Sequence, residues 1–288
     1  MHKVKAKTIL SSSGNMNIYR GCTHGCIYCD SRSACYHMNH DFEDVEVKEN
    51  ALILLEDTLR RKRKKSMIFT GSMSDPYLPL EEDLKLTRGA LKLVYKYGFG
   101  ITLLTKSDLI LRDLDLIKKI NEKTKCVVQM TLTASNDELS KKIEPNVSLN
   151  SRRVEVLKIF AENNIPTIVW LGPILPFILD NERNIKDLLN SIVESKVKGI
   201  LCFGMGMTLR EGNREYYYKQ LDKLFPTIKE KYIKYFGNSY FIGSFNHEKL
   251  MKTLNDTCIE HNILHESDEV FAYLKKFEEK EYTQLSLF

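Results

Sequence analysis

Three thiols pose the first chemical question. Cys22, Cys26 and Cys29 are spaced C-x3-C-x2-C inside NIYRGCTHGCIYCD, residues 17–30. Thiolates are the usual ligands of iron–sulfur clusters. Four would close a cubane, whereas three leave one iron open to bind and activate another molecule. Gly21 and Gly25 allow the tight backbone path that wraps a cluster. Zinc is the competing chemistry, with Cys35, His24, His37 or His40 as a fourth ligand. Zinc cysteine pairs are commonly followed by a distant second pair, which this sequence lacks. The cysteine count is seven, an odd number, and the chain reads as cytoplasmic, so no disulfide framework is expected.

The elements that must position this loop alternate in type. A short extended stretch, Asn17 to Tyr19, leads into it. A helix follows over 47–65, with Leu52, Leu55 and Leu59 on one face. Strands are predicted at 66–71, 99–106, 126–133, 166–172 and 199–205, and helices at 82–97, 113–121, 149–163 and 183–195. The strands are continuous apolar runs, as in sheets buried on both faces. Six strands separated by helices predict an α/β fold, a partial (β/α)6 barrel; an open doubly wound sheet is the alternative. Residues 207–280 read as a mostly helical extension of the same domain, 1–206 being the barrel with its cluster loop. Residues 281–288 read as a flexible tail.

The cysteine spacing, with the aromatic Tyr28 before the last cysteine, resembles the signature of the radical S-adenosylmethionine (SAM) superfamily. The resemblance implies a [4Fe–4S] cluster on Cys22, Cys26 and Cys29 and SAM as cofactor. One electron from the cluster would cleave SAM to a 5′-deoxyadenosyl radical. An external low-potential donor, flavodoxin or ferredoxin, would supply that electron. In a parallel barrel, functional groups gather at the C-terminal strand ends. Those ends offer Ser72, Ser74 and Asp75 for the methionine amino group, Lys106 for the carboxylate and Thr133 for the ribose; Glu144, followed by Arg152 and Arg153, adds a ribose or carboxylate contact, and Tyr28 of the loop lies against adenine.

YRGCTHGCIYC, SMSDPY with Glu81, LTKSDLILRD, IEP with the following arginine, and MTLREGNREYYY together resemble the spore photoproduct lyase-like branch over about residues 15–220. That branch implies DNA lesion repair. Its lyases carry a hydrogen-donating cysteine where Ser72 stands here. Cys202 and Tyr217 are the remaining candidates for a radical-quenching or relay role.

Net charge is +5, mildly basic and compatible with nucleic acid; Arg60 to Lys65 hold much of the excess and read as a solvated helix cap. No apolar run is long enough for a membrane span. The final residues Gln284, Leu285, Ser286, Leu287 and Phe288 resemble a bacterial sliding-clamp-binding peptide. Three functions follow: a radical SAM enzyme acting on DNA; one acting on RNA, protein or a metabolite; and a non-catalytic metal-cluster module recruiting the clamp.

Overall fold

The structure, a computed structural model, describes residues 1–280. The clamp-like tail lies outside the described residues. The chain opens with a small sheet: β1 (His2–Val4) runs parallel to β3 (Glu46–Lys48), and β2 (Tyr19–Arg20) pairs with β3 antiparallel. The cysteine loop leaves directly from β2. Next come α1 (Ala51–Arg61), β4 (Met67–Thr70), α2 (Glu81–Leu84), α3 (Leu86–Tyr97), β5 (Gly100–Thr105) and α4 (Leu114–Lys123). The alternation continues with β6 (Cys126–Leu132), α5 (Asp137–Ile143), α6 (Asn150–Glu162), β7 (Thr167–Leu171), α7 (Glu182–Glu194) and β8 (Gly199–Leu201).

Strands β4 to β8 form one parallel sheet in sequential order. All seven residues of β6 are buried, because helices cover one face and the barrel interior fills the other. The predicted α/β architecture is thus present, with the barrel open among the described residues. The expected first strand is the main departure. Tyr19 and Arg20 belong to the small sheet, and the sixth position shrinks to a single parallel bridge between Asn15 and Phe69. Met16 N–H donates to Phe69 O at 2.8 Å, and Phe69 N–H to Gly14 O at 2.9 Å.

Two predicted elements break for local reasons. The 82–97 helix divides at Lys85, whose φ is 50°. The Glu81 carboxylate accepts the N–H groups of Leu86 and Thr87 (3.1 and 3.0 Å), so a buried anion starts a new helix there. The predicted 199–205 strand stops at Leu201. After a turn, β9 (Gly206–Thr208) pairs antiparallel with β10 (Phe241–Gly243).

Between them lie α8 (Asn213–Leu224) and α9 (Ile228–Phe236); α10 (His247–Glu260) and α11 (Ser267–Lys275) follow β10. The extension covers the β8 edge: Ile200 N–H donates to Leu264 O at 2.7 Å, and Val270 and Leu274 of α11 pack on Val127, Ile168 and Leu201. An edge so covered cannot template pairing with another chain.

Candidate active site

Two adjoining cavities open at the C-terminal ends of the strands. One, about 220 Å³, is lined by Cys22, Cys26, Cys29, Ser72, Asp75, Lys106 and Trp170, among others. The other, about 310 Å³, shares Tyr28, Cys29, Lys106 and Trp170 and extends to Phe203, Met207 and Phe241. The loop, the β4 and β5 ends and the β7 end thus meet at one place.

The loop is held by two matching anchors. Tyr19, just before it, donates its hydroxyl to the fully buried Glu81, which pairs with Arg112 at 3.0 Å. Tyr28, inside it, donates to the fully buried Glu144, which pairs with the fully buried Arg153 at 2.5 Å. Arg153 also donates to Ser148 O (2.7 Å) and Thr131 O (3.0 Å), tying this anchor to the end of β6. Backbone contacts complete the docking: Ile27 N–H to Ile143 O (3.0 Å), Asn146 N–H to His24 O (3.1 Å) and Cys22 N–H to Phe42 O (2.9 Å). Gly25 has φ +72°, and a Cβ there would sit 3.1 Å from Pro145 Cγ, so the loop lies flush on the IEP turn. Burial works on these groups in opposite senses. It pushes the Cys22 thiol up to about 12 and Cys26 well above its usual value. It would raise Glu144 too, but the Arg153 guanidinium and Lys106 ammonium outweigh it and hold that carboxyl below the usual range.

The sign of the Glu144 shift gives a pH prediction. A depressed folded-state pKa contributes stability that is present above the unfolded value, near 4.5, and lost as pH falls through the lower folded value. Glu144→Gln should therefore be destabilised at neutral pH and less so in acid. Stability curves of the two proteins between pH 7 and 3 should converge; a constant gap would refute the assignment.

The remaining predicted residues divide by what they touch. Asp75 lines the cavity, yet its carboxylate already accepts Thr105 Oγ1 (2.6 Å), Lys106 N–H (2.8 Å) and Tyr77 N–H (2.8 Å). Ser74 donates to Gly21 O at 2.6 Å, bracing the loop. Ser72 is exposed on the cavity wall. Lys106 faces the cavity; its ammonium makes no hydrogen bond or ion pair among the described residues. Desolvation opposes its charge, and Cys26 and Glu144 offset that, so its pKa is raised. Thr133 is buried outside both cavity linings, its Oγ1 without a partner among the described residues. Cys202 also lies outside them, although Leu201 and Phe203 line one cavity, since neighbours on extended chain face opposite ways. Tyr217 is packed in the core, 3.0 Å from the Tyr232 hydroxyl.

Sequence reasoning missed Trp170, Phe203, Met207 and Phe241 as lining residues. Trp170 sits at a strand end and was legible there; Phe241 arrives through the unforeseen β9–β10 pairing. In the sequence MTLREGNR stands only as a motif. It docks on the segment after Cys29: Arg210 Nη2 donates to Tyr240 (2.8 Å), Arg210 Nη1 contacts Cys35 Sγ (3.3 Å), and Ala34 N–H donates to Glu211 O (2.9 Å).

The donor set suits a cluster better than one ion. A tetrahedral zinc with Zn–S near 2.3 Å needs sulfurs about 3.8 Å apart. Among the described residues the three thiols do not fall within 4.8 Å of one another. They face one cavity from one loop.

Residues 16–192 match the radical SAM superfamily, and the chain belongs to it. The superfamily's cofactors are a [4Fe–4S] cluster and SAM. Within it, the fold is similar to that of spore photoproduct lyase: one variant of that enzyme aligns with a TM-score of 0.66 at 13% identity, over 91% of this chain and 79% of the lyase. The lyase complexed with dinucleoside spore photoproduct gives 0.62 at 13%, over 90% and 77%. Streptococcus suis SuiB bound to SAM gives 0.52 at 11%, over 88% and 49%. An uncharacterized protein of Methanocaldococcus jannaschii is 40% identical over 171 residues, 58% of this chain and 62% of that protein, so the match spans under two thirds of the relative. A Mycobacterium tuberculosis protein is 26% identical over 238 residues, 81% of this chain and 69% of its own length. No helix among the described residues is long and apolar enough to cross a membrane.

Proposed function

We propose that this chain is a radical SAM enzyme of the cytoplasm acting on DNA, with Cys22, Cys26 and Cys29 holding the cluster. The observation that carries this is the convergence of three thiols and one unpaired ammonium, Lys106, on a single cavity at the strand ends. When bound, the cofactors supply an electron and a 5′-deoxyadenosyl radical. The protein's part is to bind and orient. Lys106 takes the SAM carboxylate, and Ser72 with the backbone around it takes the amino group. Asp75 sets the backbone that presents Lys106, and Ser74 braces the loop. Glu144 fixes the Tyr28 ring. Trp170 walls the side where the adenosine would lie, with Thr133 behind the β6 end.

Support for a DNA substrate comes from the fold likeness to a lyase seen with a dinucleoside lesion, and from the aromatic lining of the second cavity. Trp170, Phe203 and Phe241 suit stacking on a base. Ser72 brings no thiol to the cavity wall and Cys202 is turned away from it, so the reaction is one whose product radical is not quenched as in the lyases. Electrons come from a flavodoxin- or ferredoxin-type donor. The tail, Gln284 to Phe288, would dock on a sliding clamp. Alanine at both Leu287 and Phe288 should abolish capture by immobilised clamp while sparing SAM cleavage; undiminished capture would refute the docking.

The test is anaerobic. Protein reconstituted with iron and sulfide and reduced with dithionite should convert SAM to 5′-deoxyadenosine, faster with lesion-bearing DNA. Equal stimulation by undamaged RNA, or none by DNA, would overturn the substrate assignment. An assembled cluster with no product under any condition would favour the non-catalytic module. Lys106→Gln should weaken SAM binding roughly 10–100-fold, the worth of one hydrogen bond to a charged group. Equilibrium dialysis measures it; a change under about twofold would remove Lys106 from the site.

A further inference from the structure

We infer a second metal site, separate from the cysteine loop, in which His2, His40 and Asp44 bind a zinc-class divalent ion. Two imidazoles and a carboxylate offer ligand atoms that all lie within 4.8 Å of one another, the one such group among the described residues. The set is chemically apt, since imidazole nitrogen and carboxylate oxygen are zinc donors, and three protein ligands leave one position for water. Bonds of about 2.0–2.2 Å require the donors to close in by an ångström or so. All three side chains are partly exposed and have that freedom.

The hydrogen bonding of His40 points the same way. Its Nδ1 lies 2.9 Å from Asp41 O, so that nitrogen carries the hydrogen. The Nε2 of a neutral ring then presents a lone pair, yet it lies 2.9 Å from Glu46 Oε1. Two lone pairs at that distance repel, and a cation at Nε2, a proton or a metal ion, relieves them. A histidine whose other nitrogen donates to a carbonyl is the usual outer arrangement of a metal ligand. His2 Nδ1 lies 2.8 Å from Asp44 Oδ2, and the two imidazole rings meet edge to face with centroids 4.8 Å apart. Two cations compete for the same carboxylates: the Met1 amino group, 3.0 Å from Asp44 Oδ1, and Arg20 Nη1, 3.7 Å from Glu46 Oε1. Neither reaches the imidazoles that define the site.

Its place in the fold gives the ion a task. His2 begins β1, beside Glu46 of β3. His40 and Asp44 bracket Phe42, whose carbonyl accepts the Cys22 N–H. An ion here joins the first strand to the segment that supports the cysteine loop, and so stiffens that support.

The experiment uses holoenzyme whose thiols are already occupied by iron and sulfide. Titration with zinc against a chromophoric chelator should show one equivalent bound beyond the iron. Cobalt in its place should give tetrahedral d–d bands without thiolate charge transfer. His2→Gln and His40→Gln should each weaken zinc at least ~10-fold, since loss of a direct ligand costs no less than the ~10–100-fold typical of an outer-shell change. No zinc retained by wild type at micromolar free metal, or wild-type affinity kept in both variants, would leave only hydrogen-bonded histidines here and overturn the site. Should either variant fail to assemble its cluster, the Cys22/Cys26/Cys29→Ala protein gives the same reading: one zinc bound, and lost on adding His40→Gln. This result is independent of whether SAM is cleaved.

Discussion

Replacing Cys22, Cys26 and Cys29 together by alanine will leave a folded protein that takes up no iron–sulfur cluster and forms no 5′-deoxyadenosine above the protein-free rate. The fold survives because the loop is docked by backbone and by its tyrosines. Cys22 contributes its N–H, Ile27 its N–H and Tyr28 its hydroxyl, and none of these involves a thiol. Cys26 is buried and Cys22 and Cys29 are partly so, and trimming each sulfur costs about 1 kcal/mol of packing or less. Activity falls completely because no other cysteine lines the cavity: Cys126 and Cys258 are core residues, Cys35 contacts Arg210, and Cys202 lies outside the lining although Leu201 and Phe203 belong to it. Iron and acid-labile sulfide analysis, circular dichroism and the nucleoside assay decide it together. Residual cluster in the variant would move the ligands elsewhere. A wild-type protein that takes zinc and refuses iron would replace the enzyme with a structural metal module.

Arg153→Met will be the most destabilising single substitution near the site. Arg153 and Glu144 are both fully buried, and removing one member strands the other's charge, a loss of about 3–5 kcal/mol. For a chain of this size that lowers the thermal midpoint by roughly 10 °C. Arg112→Met at the other anchor should cost less, since Arg112 is 20% exposed and water can reach the remaining charge on Glu81. The double variant Arg153→Met, Glu144→Leu should recover much of the loss, because an apolar pair of similar volume replaces a buried ion pair at little cost. Thermal melts of the three variants measure this. Arg153→Met within about 1 kcal/mol of wild type would mean that the pair is not buried as described.

The legible parts of this protein were those with a period or a chemistry. β6 and β7 are apolar runs bounded by helical stretches, so their position followed from burial on both faces. The three thiols were legible because few reactions need that spacing. What escaped depended on distant partners. Nothing near Tyr19 announces that its hydroxyl meets Glu81, and nothing near Glu144 announces that it serves Tyr28 from outside the cavity. Asp75, just past the end of β4, and Glu144, in the IEP motif at the end of α5, read as cofactor contacts because local sequence does not show a carboxylate's partners; here each is already held by protein donors. The break at Lys85 was hidden for the same reason, since its cause is a carboxylate four residues upstream folded onto the next helix. The β9–β10 pairing joins residues more than thirty apart across two helices, which no local pattern encodes.

The two tyrosine anchors also bear on the order of events during synthesis. All three thiols emerge from the ribosome early, but Arg112 and Arg153 follow long after Cys29. At ~5–20 residues per second the loop waits on the order of ten seconds before its second anchor exists. Throughout that interval the nascent thiols are unshaped and open to stray copper, zinc or oxidants. Loading of iron and sulfide thus belongs after Arg153 has joined Glu144 in the fold, and cells that make this protein faster than they can deliver assembled clusters will accumulate a folded, colourless form.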